Sequence, residues 1–237
     1  LGFIKRNSPP GLDWAALPQK IDIVFITHNH RDHMDAPTLK RLGPDPVYVV
    51  PKGLGIWFRQ NGFEIMKRAR VLGEITNCSR GLCIAGTHGK TTTSSMLAHL
   101  LKQSHVDCNA FLGGILKNYD SNLMLSDKSD LTVIEADEFD RSFHWLTPYM
   151  AVITAADPDH LDIYGTAEAY RESFEHFTSL IRPDGCLLMK KGINVTPRLK
   201  EGVKLYTYTG AEEADFYAEN IRIGNGEIHF DFVGPDI

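Results

Sequence analysis

"GLCIAGTHGKTTTSSMLAHLLKQ", residues 81–103, decides the fold. A short apolar run stops at Gly86, passes through Thr87, His88 and Gly89, and resumes from Lys90 as a helical pattern. Strand, glycine turn and helix in that order let backbone N–H groups close around a polyphosphate, with the positive end of the helix aimed at it. Lys90 is placed to bridge β- and γ-phosphates, and Thr91 to put a hydroxyl on Mg2+. The general pattern G-x-x-x-x-G-K-[ST] wants glycine at position 84, where Ile84 stands. The match is therefore to a shorter variant, G-T-x-G-K-T.

Such a loop needs acidic help for its metal, and the next strands supply it. "LTVIEADE" (131–138) and "MAVITA" (150–155) are continuous apolar runs, as expected of strands buried on both faces of a parallel sheet. Glu135 falls at the carboxyl end of the first, where ligands of open α/β sheets gather. Asp137, Glu138 and Asp140 follow it. Asp157, Asp159, His160 and Asp162 leave the end of the second run. A loop carboxylate is as often merely solvated, and Asp137, Asp140, Asp157 and Asp162 carry that reading equally well.

The rest of the chain reads as α/β alternation. "TAEAYRESFEHFTSLI" (166–181) predicts a helix with Thr166 as N-cap. "GCLLMKK" (185–191) predicts one more strand, and the period-two tail predicts antiparallel strands at the sheet edge. Before the loop, "IDIVFIT" (21–27) reads as a buried strand, "PVYVVP" (46–51) as another strand and "APTLKRL" (36–42) as a short helix. "FEIMKRARVLGEIT" (63–76) reads as an amphipathic helix. The expected fold class is α/β, a P-loop-type, mostly parallel sheet with flanking helices.

Bulk properties narrow the field. At 237 residues and 43% hydrophobic content the chain can build one large domain or two smaller ones. A net charge of −5 with interspersed signs gives a nucleic-acid partner no support. Residues 1–63 carry +3 and the remainder −8, a shift compatible with two pieces of different origin. No apolar run approaches the ~18–20 residues of a membrane span, and no signal peptide opens the chain. Cys78, Cys83, Cys108 and Cys186 are scattered, as expected of reduced thiols in a cytoplasmic protein. Both ends read as cut.

"GTHGKTTT", "EADEFDRSFHWLTP" and "DHLDIYG", in that order, with "RAxxLGEI" before and "FLGG" after the loop, resemble the ATP-dependent ligases of peptidoglycan synthesis, the Mur ligases. The resemblance covers residues 65–237 and implies their central ATPase domain, over 64–237 and truncated at its carboxyl end. It implies ATP and Mg2+ as cofactors, UDP-N-acetylmuramate and L-alanine as substrates, and an acyl-phosphate intermediate. Carried over by motif, Gly86, Thr87, His88, Gly89, Lys90, Thr91 and Thr92 cradle the nucleotide. Lys90, Glu135 and His160 are then catalytic, with Thr91 and Glu135 as Mg2+ ligands and His160 the ligand of a second Mg2+. Where many relatives carry Asn-Ile-Glu before the Asp-His pair, this chain has Ala155-Ala156-Asp157. A murein-peptide recycling ligase is the alternative within the family, and a nucleotide-binding fragment without catalysis the alternative outside it.

A second resemblance lies upstream. "ITHNHRDHMD" (26–35) packs His28, His30, Asp32 and His33 into the H-x-H-x-D-H pattern of metallo-β-lactamase-fold hydrolases. The remaining ligands of such a centre have no counterpart after Phe63. The expectation is an orphaned half-site holding Zn2+ weakly, on an incomplete βαβ piece over residues 1–63 fused to the ligase segment. A metal-dependent hydrolase is the competing activity.

Overall fold

The structure is a computed structural model that describes residues 14–17, 20–30, 33–51, 53–210 and 213–235. It divides into two compact units, residues 1–68 and 69–237.

The first unit holds β1 (Ile23–Phe25), α1 (Ala36–Leu42), β2 (Val47–Val49), α2 (Gly55–Gln60) and β3 (Ile65–Met66). The three strands form a parallel sheet in the order β1-β2-β3. Asp35 starts α1 by accepting from the Thr38 amide at 3.0 Å and its hydroxyl at 2.7 Å. Tyr48 and Phe58 are fully buried and pack with Phe63, and the Tyr48 hydroxyl donates to the Gly43 carbonyl at 2.7 Å. Two expectations change here. β1 is not a buried strand: Ile23 and Phe25 share an exposed face, while Val24 on the opposite face packs against the core of this unit. Ile65 and Met66 leave the expected helix to pair with Tyr48 and Val49. Helix α3 accordingly starts only at Arg68 and runs to Cys78, and the division between units falls after residue 68 rather than 63.

The second unit is built on a nine-stranded sheet. Its strands are β4 (Arg80–Ala85), β5 (Asn109–Leu116), β6 (Ser121–Met124), β7 (Leu131–Glu135), β8 (Met150–Ile153), β9 (Cys186–Lys190), β10 (Lys204–Thr209), β11 (Phe216–Gly224) and β12 (Glu227–Val233). They lie in the order β12-β11-β10-β9-β8-β4-β7-β5-β6. β4 is central, parallel to β7 on one side and β8 on the other. Between the strands run α4 (Lys90–Gln103), α5 (Leu161–Tyr164) and α6 (Ala167–Ser179).

The pleat explains why β4 is apolar throughout. Cys83 and Ala85 face one layer, with Phe143, Phe174 and Phe177, while Leu82 and Ile84 face the other, with Ala98 of α4. α6 begins as expected, Thr166 accepting from the Ala169 amide at 3.1 Å. The tail corrects another expectation. β10 is parallel to β9 and β11 parallel to β10, and only the β11–β12 hairpin is antiparallel. Period-two alternation carries no strand direction, and the connection over residues 191–203 returns the chain to the starting end of the sheet before β10 begins.

Cys83 and Cys108 are buried, and burial pushes the Cys108 thiol up to about 11, so it behaves as a small apolar group. Among the described residues no helix is long and apolar enough to cross a membrane. Phe177 is fully buried and stacks on Phe143 with centroids 4.8 Å apart. Phe177→Ala is expected to cost about 3–5 kcal/mol of stability, read as a lower urea midpoint with an unchanged slope.

Candidate functional site

The site lies where β4 ends between β7 and β8, at the carboxyl ends of parallel strands. Gly86, at φ +142°, turns the chain out of the sheet against the Thr154 hydroxyl and the Ala155 amide, where a Cβ has no room. Gly89, at φ +81°, is the N-cap of α4. Thr154, just past β8, clasps the loop from below. Its amide donates to the Ala85 carbonyl at 3.0 Å, and its hydroxyl lies against the Ala85 and His88 carbonyls. Thr87 is held on the other side. Its amide donates to Ala155 O at 3.1 Å, and its hydroxyl meets Asp157 O at 2.8 Å and the Tyr170 hydroxyl at 2.9 Å. Burial raises the Tyr170 phenol, which therefore stays protonated.

Lys90 and Thr91 open α4, and each meets its own carboxylate. Thr91 donates to Glu135 Oε1 at 3.0 Å, and Glu135 Oε2 accepts the Gly113 amide at 3.0 Å. A Cβ on Gly113 would sit 2.5 Å from that oxygen, so glycine is what lets β5 approach so closely. The Lys90 ammonium donates to the Gly86 carbonyl at 2.8 Å and to Glu138 Oε1 at 3.0 Å, with Oε2 at 2.8 Å. Glu138 is 1% exposed, and its Oε2 lies close to the ammonium without completing a hydrogen bond. The mouth of α4 thus brings the Lys90 ammonium and the Thr91 hydroxyl against two carboxylates, Glu138 and Glu135.

Other predicted residues fall around this centre. His88 and Thr92 are exposed on the loop and the first turn of α4. His160 is the N-cap of α5 at φ +50°, edge-on to Phe139 at 5.2 Å and 3.9 Å from Asp159. Asp137 and Asp140 serve their own loop, accepting from the Phe139 amide at 3.2 Å and the Ser142 hydroxyl at 2.5 Å. A cavity of about 360 Å3 opens beside the loop, lined by Ala155, Asp157, Arg171, Lys190 and Asn194 among others.

Sequence reasoning left out Glu138 as a partner of Lys90, and Gly113, Thr154 and Tyr170 altogether. "FLGG" and the doubled acid of "EADE" were the available signals, but neither says which backbone or side chain it touches.

The upstream half-site is not assembled. His28 and His33 lie with ring centroids 4.0 Å apart and planes tilted by 41°, and both ring Nδ1 atoms turn to the Thr27 hydroxyl, at 2.9 and 3.3 Å. His30 meets His28 edge-on at 4.6 Å. Rings packed on one another do not converge on a cation. Among the described residues no group of three or more His, Cys, Asp or Glu is arranged to hold a metal, so the expected Zn2+ half-site finds no support there. Asp32 lies outside the described residues.

Comparison with known proteins bears on the family and the fold. The UDP-N-acetylmuramate–L-alanine ligase of Parabacteroides distasonis is 86% identical over 181 residues, 76% of this chain and 39% of that protein. The chain thus spans about two fifths of the length of the curated relatives it matches. The murein-peptide ligase structure from Neisseria meningitides aligns with a TM-score of 0.68 at 24% identity, over 84% of this chain and 67% of that one. The structure of the Thermotoga maritima MurF ligase in complex with ADP aligns with a TM-score of 0.59 at 16% identity, over 90% and 53%. At those identities the structures support the fold alone, and the hydrolase resemblance of residues 1–63 gains nothing from them. Residues 84–236 match the Mur ligase middle domain, and the chain belongs to the Mur ligase family.

Proposed function

We propose that this chain is the nucleotide-binding portion of a cytoplasmic UDP-N-acetylmuramate–L-alanine ligase. The observation that carries the reading is the pairing of Lys90 and Thr91, at the mouth of α4, with carboxylates from the loop after β7 and from its last residue. The 86% identity to an alanine-adding enzyme favours L-alanine over the tripeptide of the recycling ligases.

In the complete enzyme a muramyl carboxylate oxygen bonds to the γ-phosphorus of ATP as ADP leaves. The alanine amine then attacks the acyl carbon of that acyl phosphate, phosphate departs and the amine loses a proton. Neither step asks for covalent chemistry by the protein, so its part is alignment and charge stabilisation. The loop amides and the α4 N-terminus receive phosphate oxygens. Lys90 neutralises the charge that gathers between β- and γ-phosphates. Thr91 Oγ1 and Glu135 Oε1, 3.0 Å apart, are hard oxygen donors and suit Mg2+. That ion, when bound, supplies charge neutralisation at the transferring phosphoryl group. By resemblance His160, held in a left-handed conformation, would be the ligand of a second Mg2+. The cavity beside Ala155 and Asp157 is adjacent to the loop and has room for the base and ribose.

Titration calorimetry with ATP and MgCl2 tests this. Lys90→Ala is expected to abolish measurable binding, while His28→Ala and His30→Ala leave it unchanged; full binding by the Lys90 variant contradicts the assignment. Gly113→Ala is expected to push the Glu135 carboxylate off Thr91 and weaken Mg2+-dependent ATP binding by about tenfold, as displaced supporting groups of metal sites do. Equal Mg2+-dependence in that variant and the unaltered chain removes Glu135 from the metal site.

A further inference from the structure

We propose that Glu138 is an electrostatic gate of the phosphate loop, a fixed buried charge that admits a polyphosphate only together with a divalent cation. The inference rests on the nucleotide-binding reading above and adds a residue which that reading does not use.

Three observations carry it. First, Glu138 occupies the lysine a phosphate must reach: both its oxygens lie within 3.0 Å of the Lys90 ammonium. Second, the carboxylate is 1% exposed and one oxygen has no hydrogen-bond partner. A buried, half-satisfied carboxylate is costly, and such groups persist where function retains them. Third, the residue is pinned. Its carbonyl accepts from the Tyr164 hydroxyl and from the Arg141 amide at 3.0 Å. Asp140 and Arg141 beside it sit at φ +48° and +60°, a conformation non-glycine residues adopt only under constraint. The Arg141 guanidinium lies over the Tyr164 ring at 4.6 Å. When Lys90 turns to a phosphate, the Glu138 side chain can rotate, but its backbone cannot carry the charge away.

The balance of charge then decides. Glu138 holds Lys90 and Glu135 stands against Thr91, so the mouth of α4 sets two carboxyl groups against one ammonium before any phosphate arrives. Metal-free ATP meets repulsion at close range in a poorly solvated site. A divalent cation between Glu135, Thr91 and the phosphates reverses the sign. Neutralising Glu138 removes the charge that holds Lys90 and leaves the ammonium to a phosphate, so the metal requirement relaxes.

The test uses the whole chain and calorimetric titration of ATP, and separately of inorganic tripolyphosphate, in MgCl2 and in EDTA. The unaltered chain is expected to bind both ligands at least about tenfold more tightly with Mg2+. In Glu138→Gln that ratio is expected to fall severalfold, chiefly through tighter binding in EDTA. Glu138→Ala serves equally if the amide variant does not fold, since only the charge is at issue. Glu138→Asp, which keeps the charge, is expected to keep the metal requirement. An unchanged Mg2+/EDTA ratio in the neutral variants, or weaker binding in both media, overturns the gate and assigns Glu138 to holding Lys90 in place. Absence of binding by every variant and by the unaltered chain, even with Mg2+, instead overturns the nucleotide-binding reading beneath it.

Discussion

The Lys90 ammonium, held between the Gly86 carbonyl and the Glu138 carboxylate at the mouth of α4, is the contact on which the rest of the site depends. Its position follows from how β4 is buried. Leu82 to Ala85 face a packed layer on each side, so the chain can leave the sheet only at its carboxyl edge. There Gly86 and Gly89 make the turn, and Thr154 and Thr87 lock the loop to β8 and to Tyr170. Two neighbouring strands then meet the loop from opposite sides. β7 brings Glu135 into register beside Ile84, and β8 brings Ile153 beside Ala85. Without that register neither a carboxylate nor a clasping hydroxyl reaches the loop.

Much of the second unit was legible in advance because its signals are local. The apolar runs of β4, β7 and β8, the glycine turn, and the Thr166 cap each act within a few residues. What escaped depends on contacts across the fold. Gly113 is 22 residues from the Glu135 carboxylate it accommodates, and Tyr170 is 83 from Thr87. Glu138 read as one of several loop acids, since nothing in "EADEFD" says which carboxylate turns inward; the turn at Asp140 and Arg141 and the Tyr164 hydroxyl settle that. The strand directions of the tail and the β-pairing of Ile65 and Met66 were missed because periodicity records burial, not partner.

The first unit shows the limit of a ligand motif read by itself. His28, His30 and His33 have the spacing of a metal centre, yet His28 packs against the other two rings, and His28 and His33 turn to Thr27. Spacing brings donors near one another, while coordination needs their lone pairs to converge, which requires ligands from other strands. The small apolar core of Tyr48, Phe58 and Phe63 gives this segment a structure of its own. The match to the Mur ligase middle domain lies over residues 84–236, outside this segment.

The most direct measurement is a crystal structure of the chain grown with Mg2+ and a non-hydrolysable ATP analogue. The account predicts the β- and γ-phosphates against the Lys90 ammonium and the loop amides, with Mg2+ on Thr91 and Glu135 and Lys90 drawn away from Glu138. A nucleotide bound elsewhere, with the Lys90–Glu138 pair intact, contradicts it.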